Sequence, residues 1–169
     1  MNNLSATKKG IFISILMMLS SLITFYIFHM PDNGNSQYLV LSVFIAGIFW
    51  ALLDFHKKNP EANFKNYFGE GFRTFIVISL LMVIFAFIFY KINPQIMEDG
   101  IRENDALLRK EGNKTEAEII SNANQLRSIF IPVMLSLTTI KYLFLGALSS
   151  AVIGGLFLQK KQASSININ

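Results

Sequence analysis

The sequence has no cysteine and few charged residues, and both scarcities narrow what the protein can be. Without cysteine there is no disulfide scaffold, no thiol nucleophile and no cysteine-ligated zinc site. Charged residues make up 15% of the 169 residues, whereas average soluble chains are about a quarter charged. Hydrophobic residues reach 52% and lie in blocks, so the chain has more apolar surface than one small soluble domain can bury. This composition predicts an integral membrane protein.

Four apolar blocks are long enough to cross a bilayer as helices. A hydrocarbon core about 30 Å thick requires roughly 17 to 25 mostly apolar helical residues. The blocks cover residues 11–28, 38–55, 72–90 and 141–158. The last block begins at Lys141, whose ammonium group can snorkel to the interface. The predicted fold is therefore all-α: an integral membrane four-helix bundle that forms one domain over residues 1–169.

The distribution of basic residues predicts the orientation of the four spans. One side carries eight basic and three acidic residues, at the N-terminus, in the second connection and in the tail that includes Lys160 and Lys161. The opposite side has a first loop with no Lys or Arg, and its long third connection contains more acids than bases. Because Lys and Arg favour the cytoplasmic side, both termini are predicted to be cytoplasmic, in a multi-pass protein of a bacterial inner membrane. The pI near 9.4 then reflects orientation and contact with membrane lipids.

The third connection, residues 93–131, is predicted to fold outside the membrane as an amphipathic helical hairpin. Gly112 breaks the segment, and Thr115 with Glu118 forms the capping-box pattern that starts a second helix. Two acid–base pairs four residues apart, Glu98 with Arg102 and Asp105 with Arg109, are expected to support the first helix. Apolar residues recur at helical spacing and need a surface to cover: the membrane interface, the top of the bundle or another protein. They are Met97, Ile101, Leu108, Ile119, Ala123 and Leu126.

The cytoplasmic connection, residues 60–71, is predicted to be a short interfacial helix that leads into the third span. Aromatic and basic residues alternate here, and such residues favour the headgroup level of a membrane. The residues expected at this interface are Phe64, Tyr67, Phe68, Phe72 and Arg73. Basic residues mixed with aromatics also occur on single-stranded nucleic acid platforms, but the adjoining spans favour a membrane anchor, and no nucleic acid partner is predicted.

Small residues form two stripes along the last span, with a period of four residues. Such stripes let helices approach closely in lipid. The two alternatives are contact inside the four-helix bundle and contact with a partner or a second copy. The stripes are Gly146, Ser150 and Gly154, and Ala147, Ala151 and Gly155. The third span is rich in phenylalanine (Phe75, Phe85, Phe87 and Phe89) and is expected to face lipid over much of its surface.

Residues able to carry out catalysis are scarce, and no metal site or cofactor is predicted. The two histidines, His29 and His56, are predicted to lie on opposite faces of the membrane and so cannot share a metal. Asp54 and His56 lie together at the end of the second span and can in principle serve acid–base chemistry. The alternative is a polar cluster that ends a membrane helix. No span has an ionisable residue near its middle, as most transporters do, and the hydroxyls within the spans can bond back to their own helices.

Five features follow one another along the chain: a lysine-preceded first span, the sequence NYFGEGFR at residues 66–73, Asn93-Pro94, the acidic hairpin and a Gly/Ser-rich last span that ends in Lys-Lys. In this order they resemble the Bacteroidota membrane family catalogued as domain of unknown function 4199. The resemblance covers residues 6–161. It implies an inner-membrane protein with no established activity, and loosely suggests an association with enzymes that handle polyprenyl-phosphate sugars.

The sequence favours a protein that is not an enzyme: an accessory or scaffold subunit of a membrane complex, with a membrane-protein partner or a second copy of itself. The partner suggested by the resemblance is a polyprenyl-phosphate glycosyltransferase. The alternative is a small lipid or solute carrier, or an oligomeric channel. A membrane enzyme that uses Asp54 and His56 is a third hypothesis.

Overall fold

A computed structural model describes residues 4–28 and 35–166, with side chains described for residues 4–28 and 37–159. These residues form five α-helices and, within the described ranges, no strand, which confirms the all-α prediction. A π-helical turn, Ile23–Ile27, extends the first helix. The predicted orientation depends in part on the loop from His29 and on the Lys160–Lys161 side chains. Both lie outside the described residues. The helices are α1 (Ala6–Leu22), α2 (Asn35–Lys58), α3 (Phe64–Ile92), α4 (Gln95–Glu111) and α5 (Glu116–Ile166).

Four of the helical segments are long and apolar enough to cross a membrane, which indicates a membrane protein. They are Ala6–Ile27, Gln37–Lys58, Phe64–Ile92 and Glu116–Gln159. All four are longer than the apolar blocks in the sequence, and the third and fourth exceed them most. Of the segment predicted as a separate interfacial helix, residues 64–71 are instead the start of α3. The helix that follows the capping box, α5, runs through Pro132 into the last span, as the sequence predicts.

The chain forms two compact units, which are described separately. The first comprises the described residues within Met1–Met82 and Thr139–Asn169. Here α1 packs on α2, where a Cβ at Gly47 would lie 2.6 Å from the Ile13 side chain. The Phe44 ring of α2 lies 5.3 Å from the Tyr142 ring of α5, and Gly146 of α5 packs on α3. Together with the contact of α3 on α1 described below, these contacts place the helices around the bundle in the order α1, α2, α5, α3.

The second unit, Val83–Thr138, contains α4, the end of α3 and the first part of α5. The α4 helix ends at Gly112, whose positive φ of 68° is a conformation that glycine adopts without a Cβ penalty. The Thr115 amide donates to the Glu118 carboxylate at 2.7 Å, and the Glu118 amide donates to Thr115 Oγ1 at 3.4 Å. This reciprocal pair is the predicted capping box, and it starts α5.

The ion pairs of this unit differ from those that the sequence spacing predicts. Glu98 pairs with Arg127 of α5 at 2.8 Å rather than with Arg102 of its own helix. Arg102 pairs with Asp99, and Arg109 pairs with Glu116 across the turn. The prediction was wrong because the acidic and basic residues of α4 lie within reach of α5, where an Arg–carboxylate pair can form two parallel hydrogen bonds.

Much of the surface of α3 stays open, since 28% of its most apolar window is buried, but the four phenylalanines of the third span do not all belong to that surface. Phe75 and Phe89 are buried, whereas Phe85 is half-buried and Phe87 is exposed. The composition of the span could not separate these positions, because an aromatic side chain is equally apolar in a protein core and in lipid.

Candidate functional site

A buried lysine lies at the start of the first span. The Lys9 side chain is 2% exposed, although lysine is almost never fully buried unless it is paired. Its Nζ lies 2.9 Å from Asp54 Oδ2 of α2 and 3.0 Å from Glu70 Oε1 of α3, and it donates to the Ala51 carbonyl oxygen at 3.2 Å. One ammonium group therefore joins three helices of the first unit.

The residue after this lysine explains how the three helices come close enough. A Cβ at Gly10 would lie 2.8 Å from the Thr74 carbonyl oxygen and 2.9 Å from Val77 Cβ. Only glycine leaves room for α1 and α3 to touch at this point. Glu70 lies one turn before Thr74, whose hydroxyl donates back to the Glu70 carbonyl oxygen at 2.9 Å. The close approach at Gly10 therefore brings the Lys9 ammonium within reach of the Glu70 carboxylate.

The charges of this network balance. Lys58 Nζ lies 2.7 Å from the same Asp54 Oδ2 atom, so two ammonium groups face two carboxylates. We call these four residues, Lys9, Asp54, Lys58 and Glu70, the ionic network. Burying one charge in a protein costs several kcal/mol, and a balanced set with close contacts can recover that cost. In the sequence both lysines indicate only the orientation of the spans, and no local pattern predicts their pairing.

A pocket of about 460 Å³ opens beside the ionic network. It lies between the start of α1, the end of α2 and the first part of α3. Three cationic side chains line it, together with Glu70 and the apolar side chains of Leu4 and Phe55. The cations are Lys9, Lys58 and Arg73. The pocket is therefore a basic cavity with some apolar wall.

The Asp54–His56 pair proposed for acid–base chemistry is divided between two sets of partners. Asp54 belongs to the ionic network. His56 Nδ1 lies 2.5 Å from the Tyr67 hydroxyl, and its ring stacks on Phe157 with a centroid distance of 4.8 Å. Both residues therefore hold helices together, as in the alternative of a polar cluster at a helix end.

The aromatic segment at the start of α3 is only partly a surface feature. Phe64, Phe72 and Arg73 are exposed, and Phe68 is half-buried. Tyr67, expected at the membrane interface, is 1% exposed, and its ring packs on Phe157 at 5.8 Å. That expectation was wrong for Tyr67 because its hydroxyl finds a partner inside the bundle, which removes the need for it to reach water.

The two small-residue stripes of α5 have different surroundings. Gly146, Ser150 and Gly154 face α3: a Cβ at Gly146 would meet the Phe75 ring at 2.4 Å, and a Cβ at Gly154 would meet Tyr67 Cβ at 3.0 Å. Ser150 is fully buried, and its Oγ would lie 2.3 Å from a Cβ at Gly71. This stripe serves contact inside the bundle.

The other stripe of α5 is more open. Ala147, Ala151 and Gly155 are half-buried, and a Cβ at Gly155 would have no neighbour within 4 Å. Exposed apolar side chains surround this stripe. They are Ile140, Phe144, Leu148, Val152 and Leu156.

The apolar stripe of the second unit is partly covered by the chain itself. Ile101, Ile119 and Ala123 are buried, and Met97, Leu108 and Leu126 are half-buried. Large apolar side chains that remain exposed on the two helices include Leu107 and Ile120, neither of which belongs to the predicted stripe.

Several of the described hydroxyls within the spans bond back to their own helices, as predicted, among them Ser14, Ser20, Thr24, Ser42 and Ser136. Ser14 donates to the Gly10 carbonyl oxygen at 2.7 Å, and Ser42 donates to that of Tyr38 at 2.8 Å. Ser79 and Ser150 differ, because each has a buried oxygen without a hydrogen-bond partner. In the described part of the chain, no group of three or more His, Cys, Asp or Glu residues is placed to hold a metal ion.

The family model described as "Protein of unknown function (DUF4199)" matches residues 8–160. The chain belongs to this family. The matched region contains the whole ionic network and all four apolar helical segments except Ala6 and Thr7. No curated protein and no solved structure matches the chain. Family membership confirms the resemblance seen in the sequence, and the family's description names no activity.

Proposed function

We propose that this protein is a non-enzymatic accessory or scaffold subunit of an inner-membrane complex, with both termini in the cytoplasm. The observation that carries the proposal is the open stripe of α5, Ala147, Ala151 and Gly155. Helices associate in lipid by close packing at small residues. The first stripe of α5 is used against α3, whereas this second stripe has space beside it.

The burial of α5 supports the same proposal. In its most apolar window, 11% of the residues are buried, compared with 28% in each of the other three candidate spans. A surface of small residues flanked by large apolar ones has the shape that a helix of another membrane protein, or of a second copy, requires.

The ionic network supports a structural role over a transport role. Its buried charges neutralise each other at one end of the helices, whereas carriers hold ionisable groups where substrate passes. A glycosyltransferase that acts on a polyprenyl-phosphate is the candidate partner suggested by the family resemblance.

The test is purification of the full chain at native expression level in mild detergent, followed by mass measurement of the intact particle. Gly155→Leu places a large side chain in the open stripe, at a position where an added Cβ has no neighbour within 4 Å. The matched control is Gly100→Leu, at another helical glycine with nothing within 4 Å. We expect the Gly155 variant to lose the second component, protein or second copy, and the control to keep it.

Two results would count against the proposal. If the wild-type chain purifies as a monomer, the accessory role has no partner to serve, and solute flux in reconstituted vesicles becomes the next measurement. If Gly155→Leu keeps the partner at the wild-type ratio, the open stripe is not the contact surface.

A further inference from the structure

The cations that line the pocket beside the ionic network carry one positive charge more than the carboxylates of that network neutralise. Asp54 and Glu70 compensate Lys9 and Lys58 at distances of 2.7 to 3.0 Å. Arg73 lines the same pocket. Its side chain is exposed and, among the residues that the structure describes, forms no ion pair or hydrogen bond.

An unpaired guanidinium group in a cavity is suited to an anion with several oxygens. Arginine presents donors in a planar fork that binds phosphate or carboxylate through two hydrogen bonds. Lys58 is one-third exposed and has donors beyond the one directed at Asp54, so it can contribute a second contact. Exposed Lys8 and Lys57 lie close in sequence to the pocket and raise the local positive potential.

The backbone at the start of α1 adds to this preference. Ser5 caps the helix: its Oγ accepts from the Lys8 amide at 3.4 Å, and its carbonyl oxygen accepts from the Lys9 amide at 3.0 Å. Ala6 and Thr7 also line the pocket, and the amides of a first helical turn have no acceptor within their own helix. The first turn of α1 contains no acidic residue that would occupy them.

The size and the walls of the pocket indicate more than a bare ion. A volume of about 460 Å³ lies in the range of small-molecule sites. Leu4 and Phe55 supply apolar wall, and exposed apolar side chains lie close by in sequence, at Ile11 on α1 and Phe72 on α3. The pocket thus lies where the apolar surface of the helices ends, which is the depth of lipid headgroups in a membrane.

We propose that this pocket binds a phosphate ester, with the Arg73 guanidinium group as its principal ligand. The phosphate belongs either to the headgroup of an anionic phospholipid or to a small soluble molecule. The interaction is independent of the α5 stripe, so either proposal can fail without the other.

The experiment uses the full chain in detergent and measures bound lipid by native mass spectrometry and thermal protection by a melting assay. The probes are phosphatidylglycerol, phosphatidylcholine and inorganic phosphate. We expect phosphatidylglycerol to bind more tightly than phosphatidylcholine, because the zwitterionic headgroup offsets its own phosphate charge. Arg73→Gln should weaken binding about tenfold, the effect of losing a charge-assisted hydrogen bond. The matched control is Arg102→Gln, which removes an exposed guanidinium group from α4.

A second variant separates loss of ligand from loss of fold. Thr7→Glu places a carboxylate at the wall of the pocket and in the first turn of α1, where an acidic residue stabilises a helix. We expect this variant to melt at or above the wild-type temperature without ligand, yet to bind phosphatidylglycerol more weakly.

Each outcome of the binding experiment either supports the proposal or overturns it. Protection by both phosphatidylglycerol and inorganic phosphate, reduced in the two pocket variants, supports a site for the phosphate group itself. Protection by phosphatidylglycerol alone supports a lipid site, and protection by inorganic phosphate alone supports a soluble ligand. Binding that is absent from the wild type, or that is equal in Arg73→Gln, Thr7→Glu and Arg102→Gln, overturns the proposal.

Discussion

Replacing Lys9 with methionine should destabilise the bundle of the first unit by about 3 kcal/mol, because it leaves Glu70 without its cation. At separations near 3 Å and an effective dielectric constant of about 20, each Lys9 contact supplies roughly 5 kcal/mol of attraction. The cost of removing three charged groups from water is of similar size, so the intact network adds little net stability. Removal of one partner is different, because the desolvation cost of the remaining charge persists.

The two carboxylates do not share this cost equally. Asp54 keeps Lys58 at 2.7 Å, and its side chain is 27% exposed. Glu70 is 11% exposed and loses the only ion-pair partner it has among the described residues. Breaking a buried pair costs about 3–5 kcal/mol, and the partial exposure of Glu70 places the expected value near the lower end. Glu70→Gln in the Lys9→Met background removes the unpaired charge and should restore most of the lost stability.

The fluorescence of Trp50 provides the assay, because it is the only tryptophan and its ring lies 6.0 Å from the Phe12 ring of α1. Unfolding by a denaturing detergent would be followed in mild-detergent micelles for each variant. Lys8→Met is the matched control, since it removes the same charge from the exposed neighbouring residue and should change stability by less than about 0.5 kcal/mol. Equal losses in Lys8→Met and Lys9→Met, or no recovery with Glu70→Gln, would refute the reasoning.

Three further predictions concern packing, a helix end and pH. Gly146→Ala should lower the free energy of unfolding by about 1–3 kcal/mol, because its Cβ would meet the Phe75 ring. Gly155→Ala should leave it unchanged, because its Cβ would have no neighbour within 4 Å. Equal unfolding midpoints of the two variants would contradict this. Gly112→Ala should cost about 1 kcal/mol at its φ of 68°, and Gly112→Asn clearly less, measured as the unfolding midpoint of each variant; no loss in either would show that the turn tolerates a Cβ. The hydrogen bond from Arg127 holds the pKa of Glu98 below its usual range. The stabilisation that this pair gives to the fold is complete above the unfolded pKa of Glu98 and is lost as the pH falls through the lower folded pKa. Amide hydrogen exchange in α4 should therefore become faster in that pH range. If Glu98→Gln shows the same increase, the prediction is wrong.

Much of the fold could be predicted because it depends on residues that are close in sequence. The apolar blocks marked four spans, and Gly112 with the Thr115–Glu118 pair marked the turn between α4 and α5. The same local reasoning failed for Glu98, which has an arginine one turn away yet pairs with Arg127, 29 residues later. A surface pair within one helix is worth a few tenths of a kcal/mol, so any better-placed partner on a neighbouring helix replaces it.

The candidate site was the least predictable part, for the same reason. Lys9 is followed by an apolar span and looks like an orientation signal, and no local pattern relates it to Glu70, 61 residues later. The one available clue was Gly10, since a glycine inside a helix often marks a close contact. The sequence likewise could not show which α5 stripe is covered and which is open, because both consist of small residues at the same spacing.

Hydropathy and the residue patterns at helix ends depend on residues that are close in sequence. They were therefore sufficient to predict an all-helical protein with four candidate spans and a charged connection. They carry no information about which helix lies beside which. The order α1, α2, α5, α3 was decided by shape, through glycines at three of the four helix contacts and through the packing of Phe44 on Tyr142 at the fourth. That order brought the charges of three helices together into a balanced network. Among the described residues, it left an arginine without an ion pair in the pocket and an uncovered stripe on α5.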